Sequence, residues 1–258
     1  MSTFREVMGI VDGTGDIDCS NKGLTSLEGC PEFVEGSFNC SGNLLVTLEG
    51  APEVKGNFDC SGNELITLDG APKMVGGDFI CYGNRLTSLV GAPLKIRGSF
   101  DCSGNLLRSL KGAPKTIKGR FDCSDNLLVS LDGGPIDSGS FDCSGNRLFT
   151  LEGAPDEIAH DFDCSGNLLQ SLVGAPDIID GSFSCADNHL ENLRYGPVDV
   201  RGNYDCSRNL LMTLRYSPEK VGGHFNFSGN PRLSLNGEKE TGTYSHRSVP
   251  PVSFQRAV

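Results

Sequence analysis

The chain has 258 residues, a formal charge of −11 and a pI near 4.8. That balance argues against nucleic acid as a partner, because phosphate recognition rests on clusters of Lys and Arg that this chain lacks. No stretch approaches the roughly 20 apolar residues of a bilayer-spanning helix, and the start MSTFREVMGI lacks the basic-then-apolar order of a secretory leader. No membrane partner is expected, and the cytoplasm is the expected location.

Residues 1–16 come before any repeat and supply Phe4, Val7 and Ile10. An open stack of repeats exposes its core and its strand edges, so this segment is read as an N-terminal cap. From Ile17 onward the chain becomes periodic. Ten of its eleven cysteines, from Cys19 to Cys206, recur every 20 or 21 residues, and Phe227 continues the rhythm. A period this short, kept over most of the chain, predicts a solenoid in which each coil packs only on its neighbours.

One unit, residues 58 to 77, reads FDCSGNELITLDGAPKMVGG. Phe58 and Cys60 flank a polar residue, which places both on the inner face of a short strand and Asp59 on the outer face. Cysteines confined to one equivalent position per coil behave as small buried apolar residues, so reduced structural thiols are expected. Zinc would require Cys or Cys/His pairs at short spacing. No CxxC occurs, and His160, His189, His224 and His246 hold unrelated positions. No metal or other cofactor is expected. Three residues after the Cys stands an Asn, as at Asn63 and Asn126, whose amide can satisfy backbone groups of adjacent coils. Two leucines complete the interior, and Gly-Ala-Pro then predicts a tight or extended arm without a full helix. The result is a β-rich solenoid of about eleven coils, with one short parallel strand per coil and little helix, over residues 17–235.

The order Phe58, Cys60, Asn63, Leu65, Leu68 resembles the leucine-rich-repeat core L-x-L-x-x-N-x-L-x-x-L, with Phe and Cys in buried leucine positions. The repeat length is similar to the short bacterial class found in type III secreted effectors. The Cys-Ser-x-Asn and Gly-Ala-Pro wording looks more like repeat proteins of large tailed bacteriophages. The resemblance implies a protein-binding scaffold without chemistry of its own. No ubiquitin-ligase domain follows the array, so that effector activity is not carried over.

Candidate binding residues fall on the exposed strand face and on one corner. Asp101, Asp122, Asp142 and Asp163 are part of a row of equivalent carboxylates. Such a row either recruits a cationic protein surface or keeps the sheet soluble. Ile80 and Tyr82 break the row with an apolar pair, which is either a binding hot spot or repeat drift. Arg120 beside Asp122 reads as a local salt bridge. In two consecutive coils Arg194-Tyr195 and Arg215-Tyr216 replace an acidic or neutral residue and glycine, setting up cation–π contacts. That cluster either meets a partner or packs the chain's own C-terminal segment.

Residues 236–258 are polar, contain Pro250-Pro251, and read as a tail whose Val249, Val252 and Phe254 can dock. A non-enzymatic scaffold is expected, because one Asp repeated coil after coil offers none of the differentiated environments a catalytic pair needs. The scaffold reading includes a phage product acting on a host factor, and the alternative is a structural or adsorption component of a virion.

Overall fold

An apolar residue alternating with Cys makes each repeat begin as a strand, and identical strands stack in register when their inward side chains match. In the computed structural model, which describes residues 2–233 and the backbone of 243–245, these strands form one long parallel ladder. Eleven of them follow one another in chain order from Ile17–Asp18 to His224–Asn226 among the described residues. The register sets Phe38 opposite Phe58, Phe58 opposite Phe79, and so on to Tyr204 opposite Phe225. At about 4.8 Å per strand the stack is roughly 50 Å long.

This register produces a core of rows. Consecutive rings from Phe38 to Phe225 lie 5.0–5.7 Å apart, within the range of favourable aromatic contact. The ten ladder cysteines are fully buried, and burial raises their thiols far from the thiolate range, with Cys19 at the open end pushed up to about 12. Several thiols donate to a carbonyl of the following coil, as Cys102 does to Asp122 at 3.2 Å.

The asparagines bind coil to coil. The Asn126 amide donates to the carbonyls of Cys102, Cys123 and Ser124 at 3.0–3.2 Å, and its Oδ1 accepts from the Leu107 N–H at 3.0 Å. Asn43 through Asn230 repeat the pattern at equivalent positions. The first coil has Lys22 there, and Asn43 of the next coil accepts from both the Lys22 and Leu24 N–H groups.

The Gly-Ala-Pro arm is extended, and in most coils it adds a second two-residue strand. One set runs from Phe33–Val34 to Lys95–Ile96, and another from Thr116–Ile117 to Lys220–Val221. Where the second set begins, Thr116–Asp122 and Asp137–Asp142 run unbroken through the corner into the main ladder, with a register irregularity between Ile117 and Arg120.

At the N-terminal end, Thr3 closes a capping box with Glu6 on the short helix Phe4–Met8. Phe4 is fully buried and extends the aromatic row, 6.2 Å from Phe38. Val7 and Ile10, expected beside it in the cap, are exposed, Ile10 by 86%. At the other end Phe227 and Leu233 are buried, and the backbone of Thr243–Ser245 pairs antiparallel with His224–Asn226. Val249, Val252 and Phe254 lie outside the described residues.

Candidate binding surface

The outer residues of the main ladder form a row in which Asp101, Asp122, Asp142 and Asp163 are direct neighbours. They are not bare charges. Each turns back on its own chain: the Asp122 carboxylate accepts from the Ser124 N–H at 3.0 Å and the Ser124 hydroxyl at 2.6 Å. Asp101 and Asp142 do the same with Ser103 and Ser144, and Asp163 accepts from the Ser165 N–H. Arg120 reaches across two coils to Asp122 at 2.9 Å and Asp142 at 2.5 Å, making the local salt bridge expected from its place in the repeat.

Burial nevertheless raises the carboxyl groups of Asp122 and Asp163. Serine hydrogen bonds oppose that shift, and the neighbouring Asp142 charge reinforces it. Half-buried carboxylates in file favour any positive charge brought to them.

Ile80 takes its turn in the same row, between Asp59 and Asp101. Its side chain is half-buried, while Tyr82, two residues on and therefore on the same side, is 48% exposed. The two make an apolar island among carboxylates.

Arg194, Tyr195, Arg215 and Tyr216 come together elsewhere, at the corner that follows the second leucine of the coil. Arg194 lies 4.8 Å from the Tyr195 ring centroid and 5.9 Å from that of Tyr216, and Arg215 lies 5.1 Å from Tyr216. The two tyrosines are 55% and 47% exposed and have φ of 68° and 71°. Preceding coils have glycine at this position, at φ near 90° in Gly91 and Gly174. A Cβ at Gly174 would come within 2.3 Å of the preceding coil's backbone, so a side chain is admitted here only where the corner is rebuilt. A left-handed conformation in a residue with a Cβ costs about 1–2 kcal/mol, and two consecutive coils bear it.

The candidate residues thus occupy two separate surfaces. A further set of exposed apolar residues escaped notice in the sequence. Val46, Ile66, Val129, Phe149 and Met212 stand six residues after their ladder cysteines and are half or more exposed on the flank beyond the Asn turn. Thr87, Arg108, Gln170 and Glu191 hold the same position in other coils, so the column is apolar only in places, legible once coils are aligned. Also unnoticed was Ser138, which interrupts the buried Val and Ile row of the arm between Ile117 and Ile158.

No group of three or more potential metal-ligating side chains is gathered among the described residues. Among the same residues no helix is long and apolar enough to cross a membrane.

No family model matches the chain, and no curated protein matches it. Two solved structures are similar. YopM from Yersinia enterocolitica is 20% identical with a TM-score of 0.40, over 83% of this chain and 60% of that one. The chain therefore spans less than two thirds of that protein's length. YopM from Yersinia pestis, described as a leucine-rich effector protein, is 18% identical with a TM-score of 0.50, over 84% of this chain and 75% of that one. At such identities the likeness is one of fold. Together with the in-register Phe, Cys, Asn and Leu rows, it identifies the chain as a leucine-rich-repeat solenoid.

Proposed function

We propose that the protein is a non-enzymatic scaffold that binds another protein on its strand face, with Ile80 and Tyr82 as the apolar anchor and the flanking aspartates meeting basic residues of the partner. The observation that carries this reading is the apolar pair itself. In a row otherwise made of Asp, Asn and Ser, a half-buried isoleucine beside an exposed tyrosine has the chemistry of a hot spot ringed by polar contacts. The carboxylates are held by their serines, so little side-chain freedom is lost when a cation docks.

The YopM of Yersinia pestis is described as an effector, and a role directed at a host factor is consistent with that likeness of fold. A phage-encoded setting remains part of the proposal on the wording of the repeats alone.

The test is affinity capture from a candidate host lysate, followed by binding kinetics with the captured protein. Ile80→Ser with Tyr82→Ser is expected to weaken binding by roughly 2 kcal/mol or more, about thirtyfold, while circular dichroism stays unchanged. Unaltered affinity in the folded double variant would remove the strand face as the site and direct attention to the Arg194 corner.

A further inference from the structure

The arm carries a groove where its buried row is interrupted. Ile117 and Ile158 fill their places in the row, whereas the aligned Ser138 is small and turns its hydroxyl to the Ser140 carbonyl at 2.6 Å. All three line a groove of about 870 Å³. Its accessible apolar surface comes from Ile178, 53% exposed, with Ala159 and Ala175, over the buried Ile117, Ile158, Pro155 and Pro176. Its rim carries Asp137, Asp156, Glu157 and Asp177 against Lys118. An apolar floor inside an acidic rim suits an extended segment that is both apolar and cationic.

The chain contains such a segment. Residues 246–258 read HRSVPPVSFQRAV, with two arginines, several apolar side chains and no acidic residue. The described backbone just before it ends on the arm's side of the last coil. Thr243–Ser245 pairs antiparallel with His224–Asn226 and sets Ser245 opposite His224, so this strand runs toward the side on which Gly222 and Val221 lie. Val221 belongs to the arm ladder, two coils from Ile179 at the near end of the groove. That is about 10 Å along the axis at a strand spacing of roughly 4.8 Å. Thirteen residues reach up to about 43 Å. The Arg194 and Arg215 corner, by contrast, repels a segment bearing two further arginines.

We propose that residues 246–258 of this chain dock in the groove lined by Ile117, Ser138 and Ile158, with Arg256 meeting its acidic rim. The proposal is independent of the strand-face reading, because no residue of the outer row of the main ladder lines the groove.

An arginine-specific protease tests it on the full chain, with cleavage after Arg256 followed by mass spectrometry. Asp156→Lys with Asp177→Lys reverses the rim at two exposed sites. Glu28→Lys with Glu49→Lys makes the same charge change at two exposed sites outside the groove lining. Cleavage tracks the open population when docking is fast, so wild type and the Glu28/Glu49 variant should be cut about tenfold more slowly than the rim variant. Phe254→Ser should lose the same protection. Equal rates in all the proteins, or equal acceleration in both charge variants, would overturn the proposal. Protection that grows with protein concentration would also overturn it, by assigning the groove's occupant to a second copy.

Discussion

At the scale of single residues, the repeated Asn and Asp show how one side chain can serve structure in every coil and still tune the surface. Asn126 is buried and holds carbonyls of two coils, so Asn126→Ala strips the Leu107 N–H of its acceptor and leaves the carbonyls of Cys102 and Cys123 with one side-chain donor each, from Asn105 and Asn146. A buried group left unsatisfied costs about 1–3 kcal/mol, and the urea midpoint should fall accordingly. An unchanged midpoint would mean that water replaces the amide. For Asp163 the sign is opposite. Burial raises its folded pKa, so its protonated form is favoured by folding. That contribution is fully present below the unfolded carboxyl value of about 4 and is lost as pH rises through the higher folded value. At neutral pH the ionised group therefore opposes folding. Asp163→Asn is expected to be more stable than wild type at pH 7, and the advantage should disappear below about pH 4. The asparagine can keep the turn, because Asn39 occupies the same column and accepts from the Ser41 N–H and hydroxyl. A neutral-pH midpoint below that of wild type would show that the carboxylate is needed for the turn.

At the scale of the element, the strand and its Asn turn were legible in the sequence because every coil repeats the same demand: Phe and Cys inward, Asn at the bend, Leu twice. The second ladder was less legible, since the arm is specified by Gly-Ala-Pro and one Val or Ile, a pattern compatible with several extended conformations. Ser138 and exposed apolar residues such as Val129 and Phe149 went unread for another reason: their meaning depends on which neighbours stack above and below. The Arg–Tyr corner was read from sequence adjacency, but its cost was not, because the left-handed backbone appears only in the fold. That cost can be measured. Tyr195→Gly relieves the conformation and loses the ring, whereas Tyr195→Ala loses the ring and keeps the strain. The glycine variant should be more stable than the alanine variant by about 1 kcal/mol in denaturant unfolding. Equal midpoints would show that the rebuilt corner carries no strain.

At the scale of the whole molecule, charge is distributed unevenly along a rod. Residues 1–189 contain 27 Asp and Glu against 13 Lys and Arg, whereas residues 190–235 contain four against six. Each coil touches only its neighbours, so repulsion within the acidic part is not diluted by contacts with the rest of the chain. Salt therefore acts on the body as a stabiliser, because it screens repulsion between partly exposed charges within about 10 Å at 0.1 M. Arg120 does the same work locally by bridging Asp122 and Asp142. Raising NaCl from about 50 mM to 500 mM should raise the thermal midpoint of the wild type by a few degrees, the size of shift expected for about 1 kcal/mol in a chain of this length. Arg120→Gln should melt lower at low salt and gain more from added salt, because three unbridged carboxylates then face one another from Asp101 to Asp142. A wild-type midpoint that falls with salt would mean that cross-coil ion pairs such as Arg85–Glu64 and Arg208–Asp187 outweigh the repulsion between like charges.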